Sequence, residues 1–487
     1  MPAELANPHQ SRRWLILGVL ALAQLMVVLD ATVVNIALPS AQQTLHFSVS
    51  DRQWVITAYA LAFGSLLLLG GRISDVFGRK WTLIVGLSGF AIASAVGGAA
   101  TSFIMLIAAR GLQGAFAALL APAALSLLTT TFTEPGERGK AFGIYGAIAG
   151  GGGAAGLLLG GVLTQYLSWR WSLYVNLVLA VPAALGALAL LHNQTLAVKP
   201  KFDVPGTLAA IGGLFSLVYG FSLAETHGWS SGLTIGFLAA AAALLATFVA
   251  IERRVEHPLL PLRIVLDRDR GGSYLALILS NAGMFGVFLF LTFYLQRTLG
   301  FSPVKTGLAF LPLIGVLVVT AILATSILLP KLGPKPLVPL GMLFGGAAML
   351  LLTRLGTNSS YLSDVLPALL VTGVGVGLVS APATNTGTAG TAASDAGIAS
   401  AVVNTSQQIG GSIGTALLNT FAASATTAYL VARPYTASVA AHAAVHGYTT
   451  AFWWAAGIFF AGAILTALVL KPGVQHIGLN PEPALTH

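Results

Sequence analysis

Two ionisable side chains set inside apolar stretches are where this sequence can do chemistry. Asp30 lies in the run from Trp14 to Leu38, and Arg110 lies in the run that opens at Phe103, with Gln113 three positions further on. An ionised carboxylate deep in a bilayer costs about 2.5 to 3.5 kcal/mol, so a chain that keeps one uses it on ions, protons or substrate. At the helical rise, Asp30 lies about 24 Å from Trp14, and Arg110 about 10 Å from Phe103 on a helix running the other way. Both reach the same depth, where opposite charges pair or share a water-filled cavity. The guanidinium favours the carboxylate and burial favours the acid, so a motion that changes their spacing changes proton affinity. Asp30 is therefore read as the group that takes and releases a proton, with Arg110 and Gln113 tuning it. A static ion pair is the alternative.

The elements that must position these groups follow from composition. With 56% hydrophobic and 8% charged residues and a mean hydropathy of +0.84, the chain reads as an all-α membrane protein with many spans. Cysteine is absent, which excludes disulfides, thiolate metal sites and cysteine nucleophiles. The net charge of +9 comes from basic residues scattered singly and in pairs along loops, so no nucleic-acid partner is expected. Fourteen apolar runs of about 17 to 25 residues are each long enough to cross a hydrocarbon core of about 30 Å. Seventeen of the 24 basic residues fall on the side of the termini and six on the other, with Arg110 inside a span. That bias predicts a multi-pass protein of the inner (plasma) membrane with both termini in the cytoplasm.

Two polar, charged segments, 193–201 and 252–270, bracket the seventh and eighth runs. The partition is then a six-helix bundle (1–192), two linking helices with their loops (193–256) and a second six-helix bundle (257–487); without the linking pair, which is the weakest, twelve spans remain. An internal repeat supports two like halves. Ala121-Pro122 recurs as Ala381-Pro382, and Gly139, Gly152-Gly153 and Gly156 recur as Gly397, Gly410-Gly411 and Gly414. Parallel six-helix repeats with a substrate site between them are a known plan for secondary transporters.

The segment Gly71-Arg72-Ile73-Ser74-Asp75-Val76-Phe77-Gly78-Arg79-Lys80 reads as a tight loop between spans two and three. Asp75 can face the positive end of a neighbouring helix, while Arg79 and Lys80 stay in water. This pattern resembles the loop signature of the major facilitator superfamily. Leu29-Asp30-Ala31-Thr32-Val33-Val34-Asn35-Ile36-Ala37-Leu38-Pro39, Gln53-Trp54-Val55 with Ala58-Tyr59, Arg110-Gly111-Leu112-Gln113-Gly114, Ser168-Trp169-Arg170-Trp171 and Gly447-Tyr448 with Ala451-Phe452 resemble its fourteen-helix drug:proton antiporter branch.

The resemblance covers nearly the whole chain. It implies a major facilitator fold, two six-helix bundles plus two linking helices, that exports amphiphilic drugs in exchange for protons by alternating access. It implies no cofactor beyond the proton gradient, and no enzyme activity. The partners are a small amphiphilic substrate, protons and the lipid bilayer. Gly71, Asp75, Gly78, Arg79 and Lys80 would form a cytoplasmic latch with Arg138. Gly152, Gly156 and Gly160 correspond to the antiporter motif and make a flat strip for close helix approach; Leu157 stands where the family usually has a proline, which weakens the case for antiport over symport.

The later spans carry no buried acid, so a neutral, monocationic or anionic amphiphile fits better than a dication. Asn281, Phe285, Phe288, Phe293 and Tyr294 in span nine and Asn404, Gln407 and Gln408 in span thirteen are candidate lining groups, with Asn35 and Tyr59 from the first half. No nucleotide-binding loop is present, since Gly139-Lys140 is followed by Ala141. His442 and His446 lack a third ligand, so no metal is expected. The competing function is a transporter of the same fold moving a lipid, sugar or metabolite by symport or uniport.

Overall fold

The structure is a computed structural model and describes residues 12–48, 51–132, 135–192, 203–255, 258, 260–389 and 396–473. Among the described residues, fourteen long helices follow one another. The first half holds α1 (Arg13–Leu45), α2 (Gln53–Phe77), α3 (Arg79–Gly98), α4 (Phe103–Thr131), α5 (Pro135–Tyr166) and α6 (Trp171–Leu190). A pair follows, α7 (Val204–His227) and α8 (Gly232–Glu252). The second half holds α9 (Arg268–Thr298), α10 (Pro303–Leu332) and α11 (Pro334–Leu352), then α12 (Tyr361–Thr388), α13 (Ala396–Val431) and α14 (Ala437–Val469). The linker expected at 193–201 lies outside the described residues.

Helices dominate because a chain in hydrocarbon must satisfy its backbone groups internally. Several start on polar caps: Ser102, Asp203, Ser302 and Thr436 accept from the backbone N–H of Met105, Gly206, Lys305 and Val439. Eleven helices are long and apolar enough to cross a membrane. The other three are α2, α5 and α13. The first two carry shorter apolar stretches, Gln53–Leu67 and Ala155–Tyr166, and α13 carries Asn404, Gln407 and Gln408. These more polar and glycine-rich helices meet the opposite half: α2 packs on α13, and α5 on α10.

Within the halves the neighbours repeat. α1 packs on α5 and α6, α2 on α4, and α3 on α4 and α6; correspondingly α9 packs on α13 and α14, α10 on α12, and α11 on α12 and α14. The linking pair bridges the seam, with Tyr219 of α7 against Trp54 of α2 at 5.7 Å and Trp229, between α7 and α8, stacked on Phe421 of α13.

Glycines fix the register of both halves. On α1, Val28 lies 3.2 Å from the position a Cβ would take at Gly152, and a Cβ at Gly156 would land on Thr32. On α9, Ile278 and Ala282 take the same places opposite Gly410 and Gly414 of α13. This register puts Ser280 in the second half at the position that corresponds to Asp30. On α4, Gly114 seats against Tyr59, Ala62 and Phe63 of α2, as Gly373 of α12 seats against Leu313, Val316 and Leu317 of α10. That sets Leu369 where Arg110 stands. The halves share a backbone plan and differ in charge.

On the side away from the termini the halves are joined. Gln296 Nε2 donates to Ile36 O at 3.2 Å, Arg297 to Pro39 O at 3.4 Å, and Val304 N to Gln165 Oε1 at 3.2 Å. Arg52 is buried there, donating to Asn419 Oδ1 at 3.2 Å with its guanidinium 4.4 Å from the Phe293 ring. Toward the termini, Leu15, Gly18, Leu22 and Leu25 of α1 and Ile148 of α5 line an open apolar cleft of about 480 Å³.

One expectation is corrected. The segment 71–80 is not a loop: α2 runs through Phe77 and α3 begins at Arg79, leaving Gly78 as the whole turn. Gly78 has φ +92°, a left-handed conformation that suits glycine. Its N–H bonds Ser74 O, and its carbonyl accepts from Thr82, so the helices are joined without a free backbone.

The α1–α5 contact yields a test. In Gly156→Ala the new methyl collides with Thr32, whose hydroxyl is bound to Val28 O and Leu29 O, so overpacking costs about 1–3 kcal/mol. Adding Thr32→Ala restores most of that loss, while Thr32→Ser does not; thermal unfolding in detergent measures both.

Candidate functional site

The charged site is assembled by five helices of the first half. Asp30, on α1, has no exposed surface and Arg110, on α4, is 2% exposed. Arg110 Nη1 donates to Asp30 Oδ2 at 2.5 Å and to Gln113 Oε1 at 3.0 Å. Its Nε donates to the backbone carbonyl of Val55 on α2 at 3.0 Å, and the guanidinium lies 4.5 Å from the Tyr59 ring.

The other carboxylate oxygen is held by amides. Asp30 Oδ1 accepts from Gln113 Nε2 at 3.0 Å and from Asn176 Nδ2 of α6 at 2.7 Å. Ser94 Oγ of α3 accepts from both of these amides, at 2.7 Å and 3.3 Å. A buried ion pair persists only when its remaining polar groups are also bonded, and this network does that. Asn176 Oδ1 and the Tyr59 hydroxyl are the exceptions, buried with no hydrogen-bond partner.

Helix geometry delivers these groups to one point. Positions 110 and 113 share a face of α4. Gly114, on that helix, lets α4 approach α2 closely enough for Arg110 to reach the Val55 carbonyl. Among the described residues α5 contributes no side chain to the network; its strip of Gly152, Gly156 and Gly160 presses on Leu25, Val28, Leu29, Thr32 and Val33 of α1, on either side of Asp30. Through its other face, Leu157 O and Gly161 meet Gly307 and Pro303 of α10. The strip therefore couples the Asp30 helix to the seam between the halves.

A sequence profile described as Major Facilitator Superfamily matches residues 20–415. The chain belongs to the Major Facilitator Superfamily. As a major facilitator it is a membrane transporter. It is similar to the puromycin resistance protein pur8 of Streptomyces alboniger, 51% identical over 462 residues, which cover 94% of this chain and 92% of that one. It is 37% identical to the cephamycin export protein CmcT of Amycolatopsis lactamdurans, over 93% of each chain. The tetracenomycin C resistance and export protein of Streptomyces glaucescens is 36% identical, over 86% of this chain and 78% of that protein. Among solved structures, an auto-inhibited POT family peptide transporter superposes with a TM-score of 0.68 at 18% identity, covering 94% of this chain and 96% of that one, a likeness of fold.

Within this major facilitator the other candidates are dispersed. Tyr59 stacks on Arg110 and so joins the charged network. Asn35 is buried one turn beyond Asp30, its Nδ2 on Ala31 O and its Oδ1 without a partner. Asn281 is part-buried and bonds Leu277 O of its own helix, and Phe288 packs on Phe310 of α10 at 5.3 Å. Tyr294 points elsewhere: it is fully buried and its hydroxyl donates to Gly356 O at 2.7 Å, within the second half. Asn404 and Gln407 lie on α13, where Gln408 abuts Gly64 of α2. Gly71 faces Pro122 of α4, and Lys80 Nζ bonds Leu188 O at the end of α6. The side chains of Asp75, Arg138 and Phe285 lie outside the described residues.

Sequence reasoning missed Ser94 and Asn176. Asn176 had a signal, as the one amide in the apolar helix Trp171–Leu190. Ser94 had none, because serine is common in spans and is satisfied by its own helix.

Removing Arg110 strands a buried carboxylate, which costs about 3–5 kcal/mol. Arg110→Ala is expected to lose that much stability. The double variant Asp30→Asn/Arg110→Ala recovers a large part of it, and a double-mutant cycle of unfolding free energies measures the coupling.

Proposed function

We propose that this protein is a proton-coupled exporter of amphiphilic drugs, in which α1–α6 rock against α9–α14 in the plasma membrane with both termini in the cytoplasm. Relatives that align over nearly its whole length are named for antibiotic resistance and export, and the basic residues concentrate on the side of the termini.

The observation that carries the coupling role is that Arg110 does not depend on Asp30 alone. The Val55 carbonyl, Gln113 Oε1 and the Tyr59 ring also hold the guanidinium. Protonating Asp30 therefore leaves no cation stranded. The new O–H needs an acceptor, and Asn176 supplies one: turning its amide brings the unpartnered Oδ1 to the carboxyl. The same site thus accommodates both protonation states, which a purely structural pair would not require. Protonation loosens the α1–α4 attraction, and the glycine strip of α5 transmits a shift of α1 to α10.

The drug binds between the halves, against Asn281 and Phe288 of α9 and Asn404 and Gln407 of α13, where no carboxylate stands. This favours neutral or singly charged amphiphiles. Gly71, Gly78, Arg79 and Lys80 form the hinge of the cytoplasmic latch, with Asp75 and Arg138 as its charged partners.

Puromycin is the probe. In inverted vesicles with an acid interior, the protein accumulates puromycin, and Asp30→Asn abolishes the accumulation while leaving puromycin binding within about threefold. Gradient-driven accumulation that survives in Asp30→Asn removes the coupling assignment, and accumulation driven by the opposite gradient makes the protein an importer.

A further inference from the structure

The network around Asp30 turns inward, into the bundle. Its partners come from α3, α4 and α6, none of them from the second half. Among the described residues the charged or titratable groups facing it are Arg110 and, behind that guanidinium, Tyr59; α3 and α6 offer Ser94 and Asn176, and α5 offers glycines. On the termini side Met26, Phe90 and Ala117 are wholly buried in a continuous apolar core.

On the far side the packing is incomplete. A cavity of about 10 Å³, the room for roughly one water, touches Arg110 and is walled by Ala37 and Ala41 of α1, Leu106 of α4, Trp169 just before α6, and Ser172 of α6. Ala37 to Ala41 is a further turn along α1, so the cavity lies between Arg110 and the rim of the bundle. Trp169 is held there by its neighbours. Arg170 Nη1 donates to Gly98 O at 2.9 Å and Ala100 O at 2.5 Å, at the end of α3, and its guanidinium lies 4.7 Å from the Trp169 ring. Ser168 Oγ accepts from Arg170 N at 3.3 Å. The Ser168-Trp169-Arg170 segment therefore fixes one indole, 5% exposed, in the wall of a water-wide cavity.

We propose that protons reach Asp30 from the external face through the interior of the α1–α6 bundle, along this cavity and past Trp169, and not through the passage between the halves that carries the drug. The inference rests on Asp30 as the proton carrier. One water in this cavity can relay a proton, whereas an amphiphilic drug does not fit, so one width separates the two cargoes. Trp169 closes the cavity, and the proton that passes it is taken up on a carboxylate oxygen of Asp30.

The absence of native cysteine makes the route testable with single thiols in right-side-out vesicles. The probe is the silver ion, which is close to water in size, compared with a bulky trimethylammonium methanethiosulfonate. Silver added outside is expected to react with Ala37→Cys and to lower proton-driven puromycin efflux about tenfold, with puromycin binding unchanged. The bulky reagent does not react, Gly18→Cys is silent to external silver, and saturating puromycin gives Ala37→Cys no protection. Trp169→Ala speeds the silver reaction about tenfold while Trp169→Phe leaves it near its starting rate. Protection by puromycin, reaction with the bulky reagent, or no reaction with silver overturns the route. Asp30→Asn, run alongside, separates the two ideas: if it keeps gradient-driven efflux, the carrier assignment fails, whereas if it loses efflux and silver-modified Ala37→Cys keeps it, only the route fails.

Discussion

The desolvated pair of Asp30 and Arg110 is the constraint around which the first half is built. Two charges taken out of water cost several kcal/mol each unless every remaining lone pair and proton is bonded. That requirement recruits a backbone carbonyl from α2, a hydroxyl from α3 and an amide from α6, and so ties helices far apart in sequence to one point. The same requirement explains the site's economy of charge, since a second buried carboxylate would need its own set of donors.

The second half shows what the fold looks like without that constraint. Ser280 and Leu369 occupy the places of Asp30 and Arg110, and both are buried. The glycine contacts that set the register are the same in both halves, so packing alone sustains the architecture. In the proposed cycle a charge pair in one half only divides the labour of the transporter, with proton chemistry inside α1–α6 and apolar, amide-bearing surface available to cargo on α9 and α13.

Several basic residues that the sequence counted only as topology signals have local work. Arg52 clamps α2 to α9 and α13, Arg297 reaches the carbonyl of Pro39 on α1, and Arg170 grips the end of α3. Each is an Arg and not a Lys, which suits a planar fork able to bond carbonyls, and the guanidinium groups of Arg52 and Arg170 also lie on aromatic rings. Arg52 and Arg297 close the far side of the seam, so opening outward requires these contacts to exchange for water.

The sequence by itself determined the solvent, the number and order of the spans, the repeat, and the two charges at matching depth, because hydropathy over about twenty residues and helical rise are local properties. The family was legible for the same reason, as its motifs are contiguous. Only the tertiary structure decided which side chains surround Asp30. Ser94 and Asn176 lie in helices whose rotation is set by packing against α4, and nothing local distinguishes a serine facing a charge from one facing its own backbone. It also decided that 71–80 is helix around a single turning glycine, and that Tyr59 belongs to the charged network while Tyr294 belongs to the packing of the second half. Hydropathy gives the depth of a residue in the membrane; its direction around the helix axis is fixed by neighbours distant in sequence.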